Sequence, residues 1–204
     1  MTHILHLTAS ARGSASHSRQ ISTELVEKWL AAHPGDTVTA RDLGHQDLPF
    51  VSEPFIYAMY TPPADRTPEQ NDLLKLSDEM IAELFAADVI VLGIPMYNFG
   101  VPAVFKAYLD QVIRAGVTFN PANYSGLLLG KKVIVVTARG GGGYGPGEAR
   151  ESMNFESNYL KAAFSFIGVQ DIDFIHLDNL NREDEVKAAS LTAARQRIAE
   201  ITGA

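Results

Sequence analysis

The sequence predicts an α/β fold, a parallel five-stranded sheet with helices on both faces, and three observations predict it. Short apolar or β-branched runs alternate with longer segments of helical period, the pattern of strands joined by crossover helices. Two of the runs, VIVLGIP and KVIVVTA, are apolar almost throughout, as expected of central strands buried on both faces. No internal repeat, charge block or long linker divides the 204 residues, so one domain spanning 1–204 is expected.

Taken in order, the strands are expected at Ile4 to Leu7, Val38 to Leu43, Val89 to Pro95, Lys132 to Ala138 and Ile172 to Leu177. The second and fifth are more mixed in polarity, which suits edges. Helices are expected near Ser18 to Ala32, Pro68 to Ala87, Pro102 to Ala115, Phe155 to Ile167 and Arg182 to Ile201. The second of these has the firmest start: Thr67 as N-cap, Pro68 at the first helical position and Gln70 to close a capping box. Leu73, Leu76, Met80 and Leu84 then read as its apolar stripe. Gly168 is the expected stop of the fourth helix and Asn181 the expected cap of the fifth. Gln46 to Arg66 holds four prolines among Phe50, Phe55, Tyr57 and Tyr60; it exceeds an ordinary loop, so it is functional or hides a short helix.

Composition excludes several classes. With 46% hydrophobic residues the chain can bury a core without disulfides or a structural metal. A net charge of −7 disfavours phosphate backbones and anionic lipid. The longest apolar stretch, Val89 to Tyr97, falls well short of the roughly 20 residues needed to span a bilayer. The amino terminus, MTHILHLTAS, lacks the pattern of a secretion signal, so a cytoplasmic address is expected. Zero cysteines remove disulfide, thiolate and iron–sulfur chemistry. The six histidines show no metal spacing: His3 and His6 fall on opposite faces of a strand, and His33, His45 and His176 are isolated. No metal site is expected. There is no G-x-S-x-G elbow, Rossmann G-x-G-x-x-G or P-loop either.

Three loops can carry chemistry, because open α/β sheets bind ligands beyond the carboxyl ends of their strands. The first, TASARGSASHS, sets Ser10, Ser14, Ser16 and Ser18 before a helix, where free amides and hydroxyls suit a phosphate and Arg12 or Arg19 could add charge. The second, PMYNFGVP, joins a methionine and two aromatics to an asparagine, a flat apolar surface with one amide for a heterocycle's edge. The third, ARGGGGYGPG, lets successive amides converge on negative charge. Each alone also reads as an ordinary turn; together on one sheet edge they point to a flavin mononucleotide site.

At PMYNFGVPAVFKAYLDQVIRAGVTF, with Ser10, Ser16-His17-Ser18 and Arg139-Gly140-Gly141, the sequence resembles the FMN-dependent NADH azoreductase and quinone reductase family. The likeness runs through nearly the whole chain, including LSDEMIAELFAADVIVLGIPMYNFG and GKKVIVVTARGG. It implies a flavodoxin-like fold with strand order 2-1-3-4-5 and a homodimer with active sites at the subunit interface. It implies that Ser10, Ser16, His17 and Ser18 hold the FMN phosphate, that Met96, Tyr97, Asn98 and Phe99 line the ribityl chain and ring, and that Ala138, Arg139, Gly140 and Gly141 meet the ring's pyrimidine edge. Ala138 stands where relatives often carry serine, and Tyr144 lies at a variable position. The implied reaction passes hydride from NADH or NADPH to FMN and then electrons to a quinone or aromatic azo compound at the same face, with no catalytic side chain required. Substrate would lie against Phe99, Phe119, Tyr124, Tyr144, Phe55, Tyr57 and Tyr60, with the 46–66 insertion wrapping the partner subunit. A flavodoxin-type electron shuttle and a reductase of free flavin stay open beside this reading. A receiver-like domain is disfavoured, because the first strand ends LHLTAS without the carboxylates that hold magnesium.

Overall fold

In the computed structural model, which describes residues 1–203, the strands β1 (His3–Thr8), β2 (Thr37–Asp42), β3 (Val89–Pro95), β4 (Lys132–Ala138) and β5 (Asp171–Leu177) form one sheet. All neighbours pair in parallel, in the order β2-β1-β3-β4-β5. The polarity of each run sets its place. β3 is buried at every position and lies at the centre, whereas β2 and β5 carry the exposed positions that edges tolerate.

Six helices, α1 (His17–Ala32), α2 (Glu53–Tyr60), α3 (Pro68–Ala86), α4 (Ala103–Val112), α5 (Phe155–Phe166) and α6 (Asp184–Thr202), accompany the sheet. Alternation along the strands splits the core into two layers. Ile4, Val91, Ile134 and Val136 meet Ile21, Leu25, Ala194 and Ile198 of α1 and α6. Leu5, Leu7, Ile90, Leu92 and Val135 meet Met80, Leu84, Phe105, Leu109 and Phe164 of α3, α4 and α5. Gly93 lets α1 approach the sheet closely. A Cβ there would sit 2.5 Å from Ser22 Oγ and 3.1 Å from the Ser18 carbonyl oxygen.

The capping box of α3 forms as expected: the Gln70 amide donates to Thr67 Oγ1 at 3.2 Å and the Thr67 amide to Gln70 Oε1 at 3.0 Å. Other local expectations need correction. Leu73 is exposed, and the buried stripe of α3 is Leu74, Ser77, Met80, Ile81 and Leu84. Two adjacent leucines gave that helix two possible phases, and packing chose the other. α4 ends at Val112, not Ala115, because Ile113 leaves the helical region and the Arg114 amide turns to Thr118 Oγ1. α5 stops at Phe166 with Gly168 at φ 112°. α6 begins at Asp184 with Glu183 as its N-cap, so Asn181 is not its cap. The 46–66 stretch does hold a short helix, α2, capped by Ser52 Oγ. Among the described residues, no helix is long and apolar enough to cross a membrane.

Candidate functional site

Beyond the carboxyl ends of β1, β3 and β4, where chain order reverses across the sheet, lies a cavity of about 310 Å³. Ser10, Arg12, Ser16 and His17 line it from the turn after β1, and Pro95, Met96 and Tyr97 from the turn after β3. Ala138, Arg139 and Gly140 line it from the turn after β4. Leu180, Asn181 and Lys187 close it from the connection to α6. All three predicted loops thus meet at one place, and a fourth joins them. That fourth contribution was readable in principle: the segment after β5 leaves the same sheet edge.

One end of the cavity is built for an anion. Ser16 caps α1, accepting from the Arg19 amide at 3.4 Å, so the remaining first-turn amides and the positive end of the helix face outward. Ser10 is buried and its Oγ accepts from the Arg12 amide at 3.3 Å. Ser18 is fully buried beneath the turn, its Oγ 3.2 Å from Ser16 Oγ, and supports the cup without lining it. The His17 ring Nδ1 is buried with no hydrogen-bond partner among the described residues. Burial, and then Lys187 and Arg12, hold that imidazole below its ordinary pKa. A bound anion would reverse this pressure. Arg19 does not take the role its position suggested: it is bound to Asp42 at 2.7 Å, Thr8 Oγ1 at 2.9 Å and the Ser10 carbonyl at 3.0 Å.

The rest of the lining is less polar and comes from Met96, Tyr97, Ala138 and Leu180. Tyr97 and Gly100 exchange backbone hydrogen bonds of 2.9 and 3.1 Å, closing a two-residue turn. Its central residues, Asn98 and Phe99, have φ of 49° and 71°, the sign pattern of the primed turns that hairpins favour. For a phenylalanine this is strained backbone, costing of order 1–3 kcal/mol, sustained only because neighbours fix it. The Glu156 amide at the start of α5 donates to the Phe99 carbonyl at 3.0 Å, and the Met96 amide to the Ala138 carbonyl at 2.9 Å. Asn98 and Phe99 stand at the turn's exposed tip rather than in the cavity wall.

The glycine-rich turn presents backbone, not side chains. Gly140 packs against Asn181, whose Nδ2 lies 2.4 Å from where a Cβ would be. The Gly141 carbonyl accepts from the Asn179 amide at 3.0 Å, and Gly141 sits just outside the cavity lining. The Arg139 side chain runs the opposite way, into the protein, where its Nε donates to Glu156 Oε2 at 2.9 Å and its Nη2 to Ser157 Oγ at 2.6 Å. Tyr144 is buried between two guanidinium groups, 5.4 Å from Arg139 and 6.0 Å from Arg150. That position removes it from the cavity.

The remaining aromatics expected near substrate are dispersed in the single chain. Phe55 is buried against Ala58 and Leu74, while Tyr57 and Tyr60 of α2 face solvent. Phe119 stacks on exposed Tyr124 at 6.3 Å and tilts against Phe166 at 4.7 Å. None of these lines the cavity. No group of three or more metal-ligating side chains occurs among the described residues.

A family model described as having a flavodoxin-like fold matches residues 2–201. This chain belongs to the flavodoxin-like family. Among the relatives of this family member is a protein from a Nostoc species named FMN-dependent NADH:quinone oxidoreductase, 45% identical over 98% of both chains. Another, from Trichormus variabilis, is named FMN-dependent NADH:quinone oxidoreductase 2 and is likewise 45% identical over 98% of both. Among solved structures, an azoreductase from Bacillus anthracis superposes with a TM-score of 0.88 at 26% identity, covering 99% of each chain.

Proposed function

We propose that the chain is an FMN-dependent NADH:quinone oxidoreductase, formed by one domain, that also reduces aromatic azo compounds. The observation carrying this reading is the cavity at the switch point, lined by Ser10, Ser16, Arg12 and Lys187 together with Met96, Tyr97 and Leu180, in a chain 45% identical to an oxidoreductase of that name. The residues fit the cofactor. The partnerless His17 Nδ1, Lys187 and Arg12 suit a phosphate, and Met96, Tyr97 and Leu180 suit a planar ring.

When bound, FMN supplies the acceptor and donor of hydride, so the protein needs no nucleophile. The turn after β1 anchors the phosphate through Ser10, Ser16 and first-turn amides. Ser18 would support this cup from beneath, and Asn98 and Phe99 would border the ring from the tip of their turn. Ala138, the Arg139 backbone and Gly140, with Gly141 just behind them, would meet the pyrimidine edge of the ring, where backbone amides favour negative charge. A ping-pong order, in which NADH and the acceptor would use the same site in turn, fits a single cavity lined by all three strand-end turns.

We place the active site at the interface of a homodimer. Phe50, Tyr57, Tyr60, Tyr124 and Phe99 are each exposed, aromatic surface that a partner subunit would cover. The 46–66 segment would cover the partner's site. The test is direct: the purified protein should be yellow, bleach on anaerobic addition of NADH and recover its colour with a quinone. Protein that stays colourless with micromolar FMN overturns the reading, and bleaching without recovery overturns the quinone step.

A further inference from the structure

Behind the glycine-rich turn lies a buried ionic cluster that neither cofactor binding nor hydride transfer uses. Glu156 is fully buried at the second position of α5. Its carboxyl accepts from Arg139 Nε at 2.9 Å through Oε2, while Oε1 has no partner among the described residues. Its backbone amide donates at 3.0 Å to the carbonyl of Phe99. One residue therefore touches two of the turns that contribute to the cavity, the strained Asn98–Phe99 turn with its backbone and the Arg139 turn with its side chain. Asn154 reinforces the second contact, accepting from Arg139 Nη2 at 3.3 Å and donating to the Tyr144 carbonyl at 3.0 Å.

We infer that Glu156 is a positioning residue that keeps the Phe99 turn and the Arg139 turn in register. Backbone bonds close the first turn between Tyr97 and Gly100 and join its base to the second through the Met96 amide and the Ala138 carbonyl. Beyond that base the first turn holds a phenylalanine at φ 71° and the second is a run of four glycines, so their tips gain a further tie from what is wedged between them. α5 supplies that wedge at its first turn.

The tie is sensitive to protons. Burial pushes the Glu156 carboxyl up to about 7, outweighing the attraction of Arg139. The charged groups facing it are Arg139, from the end of β4, and Asp178, from the end of β5; burial raises Asp178 as well. Glu148 acts on Asp178. His176 of β5, lowered by burial and then by Arg139 and Lys161 to about 4, stays neutral across the range that matters. Because the packed arrangement binds the Glu156 proton more tightly than an opened one, the tie is strongest below the ordinary carboxylate range and weakens as pH rises through about 7.

The link to flavin rests on the FMN reading above; the tie itself does not, and the experiment separates them. Amide hydrogen exchange is measured on the full chain, stripped of flavin and again with FMN added, for parent and Glu156→Gln, from about pH 5 to about pH 8 after correction for intrinsic rates. Protection at the Tyr97, Gly100 and residue-156 amides should fall by about tenfold or more in the parent and stay nearly flat in the variant. FMN affinity, read by flavin fluorescence, should weaken with rising pH more steeply in the parent than in the variant. Parallel protection profiles in the two proteins overturn the inference, as does a loss spread evenly over β3 and β4. Should Glu156→Gln fail to fold, the parent alone decides: a pH-dependent loss confined to the two turns supports the tie. If FMN binds neither protein, the cofactor reading fails while the flavin-free exchange still judges the tie.

Discussion

Replacing Gly93 by alanine tests whether the sheet sets the position of the anion cup. The new Cβ would lie 2.5 Å from Ser22 Oγ, 3.3 Å from Ser22 Cβ and 3.1 Å from the Ser18 carbonyl oxygen. Ser22 cannot yield freely, because its Oγ is 2.8 Å from His6 Nε2 and donates to the Arg19 carbonyl at 3.1 Å. The relief available is a shift of the first two turns of α1. Overpacking of this kind costs about 1–3 kcal/mol. For a domain of this size that lowers the melting temperature by about 2 to 12 °C. The same shift carries Ser16 and His17 away from the cavity, so FMN affinity should drop more than riboflavin affinity. Thermal melts of Gly93→Ala, Ser22→Ala and the double variant check the cause. Ser22→Ala should recover part of the loss, since it removes the nearest atom and leaves the Ser18 carbonyl. A Gly93→Ala protein melting within about 1 °C of the parent, or a double variant whose losses simply add, would refute the reasoning.

Lys187→Met should weaken FMN binding by about threefold to tenfold at low salt, with the difference shrinking near 1 M salt and the apoprotein's melt unchanged; fluorescence titration at two ionic strengths reads it. Phe99→Gly should leave stability level or raise it by about 1 kcal/mol, since glycine accepts the turn's positive φ, while turnover of quinone falls; melts and steady-state kinetics together check this. Burial pushes the Asp42 carboxyl up, but bonds from Arg19 and His45 prevail and lower it to about 2. Its contribution is therefore present above the ordinary carboxylate range and lost as pH falls towards about 2. Asp42→Asn should flatten acid unfolding in that window. Replacing both Tyr57 and Tyr60 by serine should dissociate the proposed dimer, as sedimentation would report, without lowering the melt of the isolated chain.

The strands were legible because burial on both faces leaves little choice of residue: VIVLGIP and KVIVVTA could hardly be anything else. The three loops that line the cavity were legible for a related reason, since each follows a strand at the sheet's carboxyl edge. Lys187 and Asn181 escaped because nothing local marks a lysine one turn into a helix as facing a cavity; only the crossing of α6 past the Gly140 turn places it there. α2 was offered only as one alternative, because four prolines mark its 46–66 stretch, although Ser52 followed by Pro54 is a capped helix start. The inward turn of Arg139 was invisible too. An arginine beside four glycines suggests a hand held out to a ligand, and its buried partners at Glu156 and Ser157 come from a helix well downstream.

Both rims of the sheet are studded with ion pairs. Beside β2, Arg41 is clasped by Glu79 and Glu83; along β5, Asp171 holds Lys132 and Asp173 holds Arg197. An added strand from another molecule would have to strip water from these charges, so lateral growth into a continuous ribbon is disfavoured. Association would thereby be steered to the helical flanks, which in the proposed dimer leaves the cavity at the sheet's crest free to receive a loop from its neighbour.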